Sequence, residues 1–346
     1  MARPVLASAG MGGGANGMEF SLNGDVLAVA GADGGRLWDR TADSPKPLPG
    51  TADIINKLAF SYDGGLLATA GTDGDARLWN MASRSFITRL PDPITKVVFS
   101  PKDLVLVAIS PDGTTRLWDV HDPAHPTPLS PLPTGTAHRT QLGPTGSSVD
   151  VQAVFDHAGN TLAIAHDGTI QLWKVADSSH PEALGQPLTV GHSNITTMVF
   201  SQDDHDRVLI TASSDGTVGR WQADTGQLIR TSQLTKLRPE GGFYPMAFSS
   251  NGHRLAVRGD EGTTTLWNVD SQQLIATLTG HNEPVSVAAF SGNNFLATAS
   301  EDNTVRLWDL DEDAVTKKLC HIIGTVVSHE QWDSYLPLDT YRSTCP

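Results

Sequence analysis

Cysteine is nearly absent from this 346-residue chain: Cys320 and Cys345 are the two, both near the C-terminus. That count does not suggest an extracellular disulfide scaffold. Basic residues are in deficit as well, with 24 Lys and Arg against 38 Asp and Glu, a formal net charge of -14. Binding a phosphate backbone or an anionic membrane surface needs clustered Lys and Arg, so neither nucleic acid nor membrane is expected as the main partner. No apolar run approaches the ~20 residues of a membrane span. Met1 to Gly10 lacks the apolar core of a secretory signal, which leaves the cytoplasm as the expected compartment. Catalytic signatures are missing too. The chain has no phosphate-binding Gly-x-x-x-x-Gly-Lys-Ser/Thr, no kinase catalytic loop, no Gly-x-Ser-x-Gly, no His-Glu-x-x-His and no Cys-x-x-Cys. Neither an enzyme nor a bound cofactor is expected on that count.

Aromatic residues are few, 6% of the chain, but the tryptophans are placed with a rule. Seven of the eight sit in one short motif: Arg36-Leu37-Trp38-Asp39, Arg77-Leu78-Trp79-Asn80, Arg116-Leu117-Trp118-Asp119, Gln171-Leu172-Trp173-Lys174, Gly219-Arg220-Trp221-Gln222, Thr265-Leu266-Trp267-Asn268 and Arg306-Leu307-Trp308-Asp309. By subtraction, successive tryptophans are 41, 39, 55, 48, 46 and 41 residues apart. A period of about 40–45 residues is the signature of propeller blades, each a small antiparallel sheet that cannot bury both faces alone.

Within a repeat the pattern predicts three clear strands and a weaker fourth. In the last one, Val285 to Phe290 is an apolar run suited to an inner strand, Phe295 to Ala299 a second strand and Thr304 to Trp308 a third. Asp33-Gly34, Asp73-Gly74, Asp112-Gly113, Asp167-Gly168 and Asp215-Gly216 occupy the hairpin before the Trp strand. Such pairs supply the positive φ that a tight hairpin needs.

These residues resemble the repeat of the WD-repeat β-propeller family, over roughly residues 1–310. The resemblance implies an all-β fold: a seven-bladed β-propeller of four-stranded antiparallel blades around a central channel. It also implies a buried hydrogen-bonded tetrad in two repeats, His192, Thr211, Asp215 and Trp221, and His281, Thr298, Asp302 and Trp308. The other five repeats lack the Gly-His pair, so their tetrads should be incomplete.

A closed ring must join its last blade to its first, because an open one leaves bare sheet edges. Pro4–Ser8 is assigned as the closing N-terminal strand. Residues 311–346 are assigned to a short helical tail packed on the propeller. Val315, Leu319, Ile322 and Ile323 have helical spacing, with acids leading, lysines following and Gly324 at the end. Ser328 and Gln331 then form a capping box for a second short helix. This tail resembles the extreme C-terminus of bacterial, actinobacterial-type WD-repeat signalling proteins through Leu319, Cys320, Ile322, Gly324, Glu330, Trp332, Tyr335, Leu336, Pro337, Thr344, Cys345 and Pro346. The spacing from Glu330 to Trp332 departs from the usual pattern. Such propellers commonly follow a kinase or an ATPase module, and neither occurs here, so the chain is either free-standing or the C-terminal piece of something longer.

Two insertions, His121 to Ser148 and Gln233 to Gly242, are expected in connections leading to the next inner strand. Several residue groups have a bland reading beside a functional one. The hairpin acids are expected to bond local backbone rather than to hold a cation. Arg36, Arg77, Arg116 and Arg306 are expected to cover the inter-blade seam and pair with acids rather than to bind a peptide. His121, His125 and His138 are not expected to bind metal, since Pro123 keeps the first two off a common helix face and no further ligand motif accompanies them. The bonding of Cys320 and Cys345 is left open.

The main expectation is a non-enzymatic protein-interaction scaffold or sensor, a monomeric ring that captures a protein or peptide on one face. Asn56, Thr95, Asp150, Asn194, Phe243, Tyr244 and Glu283, which lead into the inner strands, are the expected contact residues. Tyr244 is the expected anchor, because aromatics dominate interface energetics. The rival readings are the regulatory C-terminal part of a larger signalling ATPase or kinase, and a lactonase- or hydrolase-type propeller enzyme.

Overall fold

The computed structural model describes residues 14–39, 44–49, 54–132, 151–166, 168–189, 194–202, 208–234 and 244–311. Within them lie seven antiparallel sheets and no helix. Six sheets have four strands, and the last has three among the described residues.

The second blade shows why each strand forms. Its inner strand, Ile55–Phe60, is followed by Leu66–Gly71, Ala76–Asn80 and the outer Ser85–Arg89. The second strand reads Leu-Leu-Ala-Thr-Ala-Gly and every residue in it is buried. Small residues there let the neighbouring sheets approach on both faces. The outer strand is mostly exposed. Its hairpin turns on Gly74 at φ 81, and Gly34, Gly113, Gly168 and Gly216 do the same at φ 104, 83, 74 and 86. In the last blade Asn303 takes the role at φ 61, a conformation asparagine tolerates better than most residues.

The core is seven separate apolar clusters, one in each seam between blades. Each cluster holds the Trp of one blade against apolar residues of the blade before it, small ones in most seams and Val105, Val107 and Ile109 against Trp173. Trp79 packs with Ala28 and Ala30, Trp118 with Ala68 and Ala70, and Trp221 with Ala163 and Ala165. The ring closes on the same rule, since Trp38 of the first blade packs with Ala297, Ala299 and Val305 of the last. Truncating an aromatic in such a core costs about 3–5 kcal/mol, so every seam depends on one large indole.

The seams are not equal. Among the described residues the one between blades six and seven has four buried apolar members, Ala256, Ala288, Leu296 and Trp308, fewer than any other. Polar stitching compensates there. Arg254 Nη1 donates to Asn293 O at 3.0 Å and Leu310 O at 3.4 Å, and Asn251 N donates to Asn293 Oδ1 at 3.0 Å. The seam between blades one and two has a polar zipper of its own. Asn16 Nδ2 donates to Ile55 O at 3.2 Å, and Phe60 N donates to Glu19 Oε1 at 3.3 Å. Between these contacts a Cβ on Gly17 would stand 2.8 Å from Asn56 O, so glycine is what lets the two inner strands approach.

One expectation is corrected. The spacing of the tryptophans predicts a connection to the next inner strand over the stretch from His121. Its first part instead makes the outer strand Thr127–Pro131, paired with Thr115–Asp119. Proline is tolerated there because an edge strand leaves one row of N–H groups unused. Likewise Gln233 closes the outer strand Gln227–Gln233 rather than opening an insertion. The closing strand Pro4–Ser8, the tail from 312 to 346 with both cysteines, and the remainder of the two insertions lie outside the described residues.

Candidate functional site

Two polar features of the repeat set the site's framework: the indole networks in the seams, and the ring of strand starts and hairpins at one end of the blades. In the last blade the network is complete. Trp308 Nε1 donates to Thr298 Oγ1 at 2.8 Å, Thr298 Oγ1 meets His281 Nε2 at 2.9 Å, and His281 Nδ1 lies 3.0 Å from both Asp302 Oδ2 and Thr304 Oγ1. Burial opposes charge on Asp302, but bonds from Thr304, Asn282 N and His281 outweigh it and hold the carboxyl down at about 2. Burial lowers the His281 pKa against the pull of Asp302. A neutral imidazole with Nδ1–H toward Asp302 and Nε2 accepting from Thr298 uses every donor in the chain.

In the fifth blade Trp221 Nε1 donates to Thr211 Oγ1 at 3.2 Å, and Thr217 N donates to Asp215 Oδ1 at 2.8 Å. His192 lies outside the described residues. The second blade has a Trp–Thr pair that reading for Gly-His missed: Trp79 Nε1 donates to Thr69 Oγ1 at 3.1 Å. The signal was available, because in all three pairs the Thr stands ten residues before the Trp. Where that strand position is apolar the indole fares differently. In the sixth blade it is Val257, and Trp267 Nε1 turns to Thr265 Oγ1 at 3.1 Å instead. In the third it is Ala108, and in the first, whose hairpin is one residue shorter, the matching ladder position is Val29, nine residues before its Trp; among the described residues the buried Nε1 atoms of Trp38 and Trp118 have no hydrogen-bond partner.

Local chemistry accounts for the hairpin acids. Asp73, Asp112, Asp215 and Asp302 each accept the backbone N–H two residues on, at 2.8–3.0 Å. Arg36 pairs with Asp33 at 2.9 Å, Arg77 with Asp73 and Arg116 with Asp92. His121 sits between Asp119 at 2.7 Å and Asp103 at 2.8 Å, which raises its pKa, the Asp119 hydrogen bond contributing most. His125 faces Asp122 at 2.9 Å. Among the described residues no group of three or more His, Cys, Asp or Glu is arranged to hold a metal ion.

The expected contact residues gather at one end of the ring. Asn56, Thr95, Asn194, Tyr244 and Glu283 all stand at or just before the start of an inner strand, the end that also carries the hairpins. Thr95 Oγ1 is spent on Ile109 O at 3.2 Å. Asn194 and Glu283 are exposed, and their carbonyls anchor the neighbouring hairpins through Ser214 N at 3.0 Å and Ser300 Oγ at 2.7 Å. Tyr244 is 49% exposed, and the guanidinium of Arg258 lies 5.7 Å from its ring centroid. Asp150 and Phe243 lie outside the described residues.

Fold and site together define a closed ring of seven indole-centred blades with one polar, aromatic-bearing end. Comparison with known proteins agrees. A sequence model for the WD domain, G-beta repeat matches residues 44–80, 84–119, 185–222 and 272–309, so these four segments match WD40 repeats. Nuclear distribution protein PAC1 of Arthroderma otae is 27% identical over 57% of this chain and 46% of its own length. Pre-mRNA-processing factor 19 homolog 2 of Arabidopsis thaliana is 27% identical over 59% of this chain and 38% of its own. This chain spans less than half the length of either relative, and both are eukaryotic. Among solved structures, the Cps50 (Swd1) β-propeller domain of Myceliophteria thermophila superposes with a TM-score of 0.67 at 19% identity, over 86% of this chain and 96% of that one, a likeness of fold.

Proposed function

We propose that this ring is a non-enzymatic protein-interaction scaffold, and that it captures a peptide segment at the end bearing the inner-strand starts. The observation that carries the reading is Tyr244. A large aromatic left half in water on a rigid strand is the residue type that anchors interfaces. The seven buried indoles fix the strands, so the backbone that carries the contact residues is preorganised and the ordering cost of binding is reduced. The WD repeats support the reading, since propellers built from them typically serve as protein-interaction scaffolds. The resemblance of the tail to bacterial signalling proteins rests on residues after 311 and adds a signalling context to the proposal. The test is selection of random heptapeptides, displayed through their C-termini, on the immobilised propeller. Enriched peptides should bind Tyr244→Ala about tenfold or more weakly, while its melting temperature stays within a few degrees. Peptides indifferent to Tyr244→Ala would remove this face from consideration.

A further inference from the structure

The residue beside Tyr244 breaks the repeat. Each second strand has a leucine paired with the blade's Trp, and three residues on stands Ala30, Ala70, Ile109, Ala165, Ala212 or Ala299, all buried in a seam. In the sixth blade that position is Arg258, half-buried and paired across the sheet with Tyr244. The inner strand departs at the same place. In the blades whose inner strand is bulged near its start, the irregularity comes after the first residue, as at Ile195/Thr197 and Val285/Val287. Here it is moved inward, to Pro245/Ala247. This displaced bulge sets Tyr244 opposite Arg258.

An arginine in a seam ordinarily covers apolar surface with its stem and meets an acid with its head. Arg36, Arg77 and Arg116 do so. No carboxylate among the described residues lies within ion-pairing distance of Arg258, whose guanidinium instead lies over the Tyr244 ring. An aromatic face beside a guanidinium that makes no ion pair among the described residues matches an apolar side chain next to a carboxylate. Asp260 and Glu261 follow in the same hairpin, both exposed. They oppose a run of acids, so the pair suits one acid at a time.

From this juxtaposition we infer that Tyr244 and Arg258 form a recognition pair for a partner segment in which a single Asp or Glu side chain stands beside an aromatic or aliphatic one. The inference rests on the peptide-capture reading above and names its ligand chemistry.

The same peptide selection tests it. Enriched sequences should carry one Asp or Glu next to an apolar residue. A synthetic peptide of the leading sequence should bind Arg258→Ala at least about tenfold more weakly. Its Glu→Gln version should lose as much on the native protein and nothing further on Arg258→Ala, as a double-mutant cycle requires. Arg258→Ala installs the residue that five other blades carry, so folding should survive, and an unchanged thermal melt verifies it. Peptides that depend on Tyr244 but show no acid enrichment, or bind Arg258→Ala unchanged, overturn the carboxylate pairing and leave the capture reading standing. A selection that enriches nothing overturns both.

Discussion

Glu19 offers the sharpest test of how the seams are held. It is half-buried in the inner strand Ala15–Phe20, between the first and second blades, where it accepts the Phe60 N–H. Burial pushes its carboxyl up from 4.5 to about 7, against the Phe60 hydrogen bond and the Lys57 charge, which both pull it down. The folded ring therefore holds this proton more tightly than the unfolded chain does. Stability from that proton is fully present below the unfolded value and is lost as pH rises through about 7. A shift of this size corresponds to at most about 3 kcal/mol, and water at the exposed part of the residue reduces it to roughly 1–3 kcal/mol. Glu19→Gln keeps the acceptor oxygen and removes the titration. The variant should match the native protein at pH 5 to within about 1 kcal/mol and exceed it by roughly 1–3 kcal/mol at pH 8. Thermal melts of both proteins at each pH read this directly, since other titrating groups cancel in the difference. An equal gap at the two pH values, or a less stable variant at pH 8, would refute the account of this seam.

Two further outcomes follow from the packing. Val29→Thr should give the buried Trp38 Nε1 the acceptor that Thr69, Thr211 and Thr298 provide in their blades; relieving an unmade bond is worth about 1 kcal/mol, measurable as a melting temperature raised by a few degrees. Gly17→Ala should destabilise by about 1–3 kcal/mol, because its Cβ would stand 2.8 Å from Asn56 O; chemical denaturation that leaves the midpoint unchanged would contradict the close approach.

The blade count and hairpins were legible because the seam needs one indole per sheet and the hairpin needs a residue tolerant of positive φ. Both demands leave a mark at a fixed spacing. The indole acceptors were half legible. Thr298 and Thr211 were found through the Gly-His pair, but Thr69 stands without one, and the ten-residue offset to its Trp was the better guide. The pairing of Arg36, Arg77 and Arg116 with acids could be foreseen in kind, whereas the partner Asp92 of Arg116 stands 24 residues away, in the connection leading into the inner strand of the same blade, and sequence spacing does not single it out. Arg258 was not singled out, because its departure shows only when the strands are set in register against their tryptophans.

That register also shows where the repeat has been broken most often. The sixth blade has a displaced bulge after Pro245, an arginine where five blades have alanine, and an indole acceptor moved to Thr265. Its seam with the seventh blade has, among the described residues, the fewest buried apolar members and is stitched by polar contacts. Each departure breaks the repeating solution locally, while the complete network around His281 ties the seventh blade internally and the Trp38 cluster joins the last blade to the first. A ring of near-identical units gains nothing in stability from such exceptions, and exceptions of this kind concentrate where a protein does more than fold. That they coincide with its half-exposed tyrosine is the physical reason for proposing partner recognition at the sixth blade rather than evenly around the rim.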